Sequence, residues 1–225
     1  MFAIISYKMD KKINEHLKEI GASIFEAKSA YTIWKTIAYS RSVGIVSETL
    51  AKKYVEAQNT APAFFVMTER TSLATFVIFV LQSFDRDKQA HSFFKVDVTA
   101  TEEFIKENQE VFDALKLSRD KVFAHRDIKK NTDYIKITIP SIDKLDAFFE
   151  NLFVFYNKLT GKHLDSSTLF DMSTNDLLRQ MEYMFMNLTR GEMVRKAEID
   201  IEWMWEKDNM KISDVFEAKQ EKLSN

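Results

Sequence analysis

The sequence lacks cysteine and is poor in glycine and proline, and these scarcities exclude several classes of chemistry. With Cys 0 in 225 residues, the chain offers no disulfide, thiolate zinc site, iron–sulfur cluster or cysteine nucleophile. It has Gly 4 and Pro 2, where average usage predicts about 16 and about 11. Four scattered glycines cannot form a glycine-rich phosphate loop of the dinucleotide-binding or Walker type. The composition therefore favours a mostly helical protein.

The charge of the chain is nearly balanced, and no segment predicts export or membrane insertion. Lys+Arg 32 against Asp+Glu 34 gives a net charge of -2, so binding to nucleic acid would require a local basic patch. The first ten residues lack the layout of a signal peptide. The uncharged stretch 71–84 is shorter than the roughly 20 residues that a spanning helix needs, which predicts a buried helix instead. We therefore expect a cytoplasmic protein that does not contact a membrane.

Apolar residues spaced three and four apart predict a bundle of helices. Ser141 is expected to cap the clearest of these helices and Gly161 to end it. Residues 42–58 either continue the first helix or form a second one. The predicted helices cover residues 10–40, 62–83, 141–160 and 174–189. Thr60 or Ala61 is expected to cap the second of them, with Pro62 in its first turn.

Other segments predict the remaining organisation of the chain. Thr99 and Glu102 match a capping box, which predicts one helix from Thr99 to about Phe123. Residues 133–140 alternate isoleucine with polar residues, as in a short strand or an extended connector, and 192–207 fits either a helix or a strand. The expected architecture is all-α, with a helical bundle over 1–164 and a C-terminal helical extension over 165–225. That extension is expected to pack on the bundle or at a dimer interface.

The histidines do not occur in a pattern typical of a metal site. His16, His91, His125 and His163 have no H-x-x-x-H or H-E-x-x-H spacing around them, and no repeated E-x-x-H pairs predict a di-iron bundle. No serine lies in a glycine-flanked nucleophile elbow. The sequence therefore predicts neither a metal nor a cofactor.

A basic segment around one histidine is the strongest candidate for a functional site. Residues 119–127 read RDKVFAHRD, and the window 119–130 contains five Lys/Arg and two Asp, a local charge of +3. Imidazole exchanges protons near neutral pH. The guanidinium group of arginine offers a planar, permanently charged fork to phosphate oxygens. Together these side chains indicate chemistry on a phosphodiester.

This segment resembles the R-x4-6-H motif of the HEPN superfamily, and most closely its abortive-infection, or phage-defence, branch. Arg119 matches the motif arginine, Asp120 the polar residue that usually follows it, and His125 the motif histidine. The resemblance covers residues 60–160 and implies a helical bundle that acts as a homodimer, with the motif helices of two subunits lining one cleft. It also implies metal-independent endoribonuclease activity in a phage-defence or toxin system. An antitoxin or partner protein would then accompany it.

The resemblance also assigns roles to individual residues. The histidine, His125, would assist attack of the RNA 2′-hydroxyl on the adjacent phosphate, and Arg119 would stabilise the developing charge. Asp120, Lys121 and Arg126 are expected to position RNA. Residues six apart on a straight helix are about 120° apart around its axis and about 9 Å apart along it. A wide cleft, a frayed helix end or a second subunit would therefore be needed to bring Arg119 and His125 to one phosphate.

Two alternatives stand beside this interpretation. Arg86 and His91 also satisfy R-x4-6-H, but this copy follows the apolar helix and lacks the acid two residues after its histidine. We therefore treat it as incidental. Residues 119–127 also fit an ordinary solvated helix end, and the protein would then be a non-catalytic helical interaction or sensing module of a defence system.

Overall fold

The computed structural model describes residues 2–120, 139–164 and 175–198, and these form seven α-helices. A short 3₁₀ turn, Phe93–Lys95, lies between α3 and α4. No strand occurs within the described ranges, so the predicted all-α class is confirmed. The helices are α1 (Phe2–Tyr39), α2 (Glu48–Thr60), α3 (Pro62–Ser83), α4 (Val98–Glu107), α5 (Gln109–Ser118), α6 (Ile142–Leu164) and α7 (Asn175–Glu198).

The first helix is the long one that the sequence predicts, and it packs along α3. Its apolar stripe, which includes Leu17, Ile20 and Ile24, is buried. The second half of α3 faces the same core with Phe76 and Val80 fully buried. Burial of these side chains supplies most of the driving force for helix formation, because isolated helices are marginal in water.

A glycine turn separates α2 from α1, which settles the two alternatives for residues 42–58. Gly44 has a φ of 113°, a conformation that glycine adopts without the steric cost of a Cβ. Ser47 then caps α2, because its side-chain oxygen accepts a hydrogen bond from the N–H of Leu50. Ala61 is the N-cap of α3 and Pro62 begins that helix, as predicted.

The predicted start of α4 at Thr99 is wrong. The helix begins two residues earlier, where the Asp97 carboxylate accepts a hydrogen bond from the N–H of Ala100 at 3.1 Å. Lys162 donates to the other oxygen of Asp97 at 2.7 Å, so this carboxylate also ties α4 to α6. The aspartate has a second partner that Thr99 lacks, and Thr99 is exposed.

The predicted single helix after residue 99 is also wrong, because it is broken at Asn108. The Asn108 side chain donates to the carbonyl of Phe104 at 2.9 Å, and α5 begins at Gln109. Asparagine competes for backbone hydrogen bonds in this way, which disfavours it inside a helix. Arg119 therefore follows the short helix α5 and not one long helix from residue 99.

Ser141 caps α6 as predicted, but Gly161 does not end it. The Ser141 hydroxyl accepts from the N–H of Lys144 at 3.4 Å, and the helix continues through Gly161 to Leu164. Glycine costs a helix only about 1 kcal/mol. Burial of Leu159 before the glycine and the Lys162–Asp97 contact after it offset that cost.

In the part of the chain that the structure describes, the buried apolar residues form two clusters. The larger joins α1, α3, α4, α5 and α6, and it is rich in phenylalanine. The smaller lies where α7 packs against α1 and α2. Its buried members are Ile37, Ala57, Phe65, Met181 and Phe185. Residues 133–138 and 199–225 lie outside the described residues; the described part of the ambiguous segment 192–207 is helical.

The apolar helix α3 is longer than the uncharged stretch within it. Its 22 residues are long and apolar enough, by length and composition alone, to cross a membrane; the most apolar window has a mean hydropathy of 1.6. Of that window, 39% is buried inside the protein. The expected burial is therefore found only in part: Phe76 and Val80 in the second half of α3 are buried, whereas Ile78 in that half is exposed. Phe64 and Met67 in the first half are exposed as well.

Candidate functional site

Arg119 lies at the exposed end of α5, and the residues that precede it pack into the core. The last turn of α5 is anchored by Leu115 and Ser118, which are buried. The N–H of Arg119 donates to the carbonyls of Leu115 and Lys116. At Arg119 and Asp120 the backbone widens into a π-helical turn, a local distortion that occurs frequently at functional sites. The Arg119 side chain is 46% exposed and therefore accessible to a ligand.

Within the part of the chain that the structure describes, the Arg119 side chain forms an ion pair with Asp120. Nε of Arg119 donates to Oδ1 of Asp120 at 2.8 Å. This contact engages the inner nitrogen of the guanidinium group; among the residues that the structure describes, the terminal nitrogens contact no acid. Terminal nitrogens bind phosphate oxygens in pairs. Asp120 is thus placed to orient Arg119, a role different from the RNA contact that the sequence suggests.

The other three predicted site residues lie outside the described residues. These are Lys121, His125 and Arg126. The structure therefore brings together Arg119 and Asp120, and the approach of His125 to them stays a prediction.

The second R-x4-6-H copy is engaged in contacts within the bundle. Arg86 donates to Glu102 at 2.8 Å and lies over the Phe94 ring, 4.3 Å from its centroid. The Nδ1 atom of His91 lies 3.0 Å from Nδ1 of His16 on α1. Both residues of this copy thus have structural partners, which supports treating it as incidental.

The histidine pair has an electrostatic consequence for His16. Partial burial lowers the pKa of His16 below its ordinary value of 6.5, and the neighbouring His91, Lys12 and Lys95 lower it further, whereas Glu15 raises it. Because only one ring can place its proton between the two Nδ1 atoms, the contact requires at least one of the rings to be neutral.

A cleft along α1 is not predicted by any motif in the sequence. It encloses about 290 Å³ and follows one stripe of α1 that contains Lys28, Tyr31 and Lys35. Tyr54 of α2 and Asp146 of α6 close its sides. The signal in the sequence is a row of polar residues beside the buried stripe of α1, at spacings of three and four, which is also the pattern of an ordinary solvated face.

Asp146 organises the polar side of this cleft. The Tyr31 hydroxyl donates to Oδ1 of Asp146 at 2.9 Å, and the Lys35 ammonium donates to Oδ2. Burial, followed by the bond to Asp146, raises the pKa of Tyr31, so its hydroxyl stays protonated at neutral pH. Burial lowers the pKa of Lys28. The cleft therefore combines a neutral hydroxyl, an ion pair and a second ammonium group.

Comparisons with known proteins assign no family. No family model, no curated protein and no solved structure matches the chain. Within the described ranges, no group of three or more His, Asp or Glu side chains is placed to hold a metal ion.

Proposed function

We propose that this protein is a metal-independent endoribonuclease of HEPN type that acts in the cytoplasm, in a phage-defence or toxin system. The observation that carries the proposal is the position of Arg119. It is an exposed arginine on a π-helical turn, anchored on a rigid helix end and held at Nε by Asp120. Residues that present a charged fork from a rigid element suit phosphate binding.

The proposed reaction divides the work between two side chains. The imidazole of His125 accepts the proton of the RNA 2′-hydroxyl as its oxygen attacks phosphorus. The bond from phosphorus to the 5′ oxygen breaks as that oxygen takes a proton from water, which leaves a 2′,3′-cyclic phosphate and a 5′-hydroxyl. Arg119 stabilises the negative charge that develops on the phosphoryl oxygens. Lys121 and Arg126 add positive charge along the RNA backbone.

The proposed active form is a homodimer in which the ends of two α5 helices line one cleft. A second subunit solves the geometric problem that residues six apart on a helix point in different directions. RNA is the proposed partner, together with an antitoxin or partner protein that restrains the enzyme.

Expression in a bacterial host tests this proposal. Wild-type protein should arrest growth and degrade cellular RNA, whereas Arg119→Ala and His125→Ala should do neither at equal protein level. Arg86→Ala and His91→Ala are matched controls, since they alter the second copy of the same motif and should behave as wild type. Equal growth of wild type and His125→Ala would contradict the proposal.

A non-catalytic interaction module is the second candidate, favoured by exposed apolar side chains on α3. Phe64 is 54% exposed and Met67 is 62% exposed, and residues three apart lie on one face of a helix. If the protein is such a module, it should leave RNA intact even at high protein concentration. Phe64→Ser should then abolish binding to a partner protein, and RNA should stay intact with this variant as well.

A further inference from the structure

We propose that the cleft along α1 binds a small monoanionic carboxylate that carries an apolar body. None of the residues that line this cleft belongs to the proposed nuclease motif, and the proposal does not depend on nuclease activity. Three features carry it: an ammonium group that makes no hydrogen bond or ion pair within the described residues, a net positive lining and apolar walls.

The Lys28 ammonium is half-buried and makes no hydrogen bond or ion pair with any residue that the structure describes. It lies 4.8 Å from the centroid of the Phe149 ring and 5.3 Å from that of Tyr31. The faces of these rings attract the ammonium group, but this attraction compensates only part of the hydration that the group loses on burial. An anion in the cleft would supply the missing charge.

Asp146 makes no hydrogen bond with Lys28, although its charge and that of Glu150 act on the ammonium group through space. Tyr31 donates to Oδ1 and Lys35 to Oδ2. The charged groups that line the cleft are two lysines and one aspartate, which leaves the lining itself a net charge of +1; Glu150, which also acts on Lys28, is not a lining residue. A single negative charge on the ligand neutralises this lining, whereas a dianion exceeds it.

The rest of the lining specifies the apolar body of the ligand. Val46 and Ile45, in the turn after α1, and Leu178 of α7 form an aliphatic wall, and the Tyr54 ring lies beside them. Small-molecule sites combine such apolar walls with a few polar groups that fix orientation. The volume of about 290 Å³ is just below the usual range of about 300–1,000 Å³ for such sites, so the ligand is small.

Calorimetric titration of the purified full chain with octanoate tests the proposal, with 1-octanol as its uncharged counterpart. Octanoate should bind with one site per chain, and 1-octanol should bind about tenfold more weakly or worse, because it lacks the bond to the ammonium group. Equal binding of both compounds, or no binding of octanoate, would overturn the proposal. Binding of inorganic phosphate in place of octanoate would overturn the assignment to a carboxylate.

Three variants locate the site. Lys28→Met should weaken octanoate binding about tenfold or more, whereas Lys18→Met, an exposed lysine of the same helix, should leave it unchanged. Ile45→Glu should weaken binding by charge repulsion. Ile45 is 58% exposed in a turn, so this change spares the core and serves where Lys28→Met fails to fold. Wild-type affinity in both Lys28→Met and Ile45→Glu would place the ligand elsewhere and contradict the proposal.

Discussion

The Nδ1 atoms of His16 and His91 lie 3.0 Å apart, with ring centroids 4.9 Å from each other. This contact joins α1 to the segment that follows α3, two parts of the chain separated by 75 positions. One ring donates its proton and the other accepts it, so the contact is lost when both rings are protonated. A histidine that matches the nuclease motif by spacing thus has a structural partner.

The histidine pair predicts a loss of stability in mild acid. Because the pKa of His16 is lowered in the folded protein, the unfolded chain binds a proton more readily below the ordinary value of 6.5. The free energy of unfolding should therefore fall as the pH drops through that value. The groups facing His16 are His91, Lys12, Lys95 and Glu15.

Urea denaturation at pH 7.5 and pH 5.5 measures this effect. In His16→Gln the difference in unfolding free energy between the two pH values should be smaller than in wild type, because glutamine does not titrate. An unchanged difference in His16→Gln would show that other groups cause the acid sensitivity.

The same pair predicts that His91 and His125 differ in the consequences of their removal. His91→Ala should lower stability slightly, since it removes a partly exposed contact, and RNA cleavage should stay near the wild-type rate. Thermal melting followed by circular dichroism, together with a cleavage assay below the melting range, separates the two effects. A His91→Ala protein that is folded but cleaves no RNA would assign the chemistry to the other motif copy.

Gly21 is required by a close contact with Tyr156. The Tyr156 hydroxyl donates to the carbonyl of Leu17 at 3.0 Å, and a Cβ on Gly21 would lie 2.5 Å from that hydroxyl. Gly21→Ala should therefore destabilise the protein, although alanine is usually the better residue in a helix by about 1 kcal/mol. The loss should be about 1–3 kcal/mol, typical of overpacking.

A double-mutant cycle with Tyr156→Phe measures this clash. Removal of the hydroxyl should make Gly21→Ala less costly than it is in the wild-type background. Gly161→Ala is the matched control, because a Cβ there meets nothing within 4 Å and should stabilise α6 by up to about 1 kcal/mol. Equal costs of Gly21→Ala in both backgrounds would contradict the contact.

Substitution of Asp97 and of Thr99 distinguishes which of the two residues caps α4. Asp97→Ala should cost about 1 kcal/mol, since it removes the cap and the contact with Lys162. Thr99→Ala should cost almost nothing, because Thr99 is an exposed residue inside the helix. Chemical denaturation of both variants compares them, and a larger loss in Thr99→Ala would restore the capping box that the sequence suggests.

The pKa of Asp97 adds a pH dependence to the same site. The bond from Lys162, followed by the bond from Ala100, lowers the pKa of Asp97 below 3.8. Its contribution to stability is complete above that value and is lost as the pH falls through the lowered pKa. The cost of Asp97→Ala should therefore diminish in strong acid.

Sequence periodicity predicts the long α1 and the aromatic α6 because burial of one continuous stripe determines both helices. It misplaces the start of α4 because Asp97 and Thr99 are both good capping residues, and the distant Lys162 favours the aspartate. It misses the break at Asn108 because apolar residues continue on both sides of it. The local pattern of apolar residues does not show which capping residue gains a distant partner, nor where a side chain interrupts a helix.

The candidate sites differ in how far the sequence reveals them. Arg119 is found from a motif, since one short segment carries the pattern. The cleft cannot be found from a motif, because Lys28, Tyr54 and Asp146 come from three helices that only the fold brings together. A row of lysine and threonine on α1 is identical in sequence to a solvated face.

Cleavage of a defined RNA by purified His125→Ala protein in the presence of EDTA decides whether His125 carries out the proposed metal-independent reaction. Wild-type protein and His91→Ala should cut the RNA and leave 2′,3′-cyclic phosphate ends, whereas His125→Ala and Arg119→Ala should be slower by about 100-fold or more. Equal cleavage by wild type and His125→Ala, or intact RNA with wild-type protein at high concentration, would contradict the account.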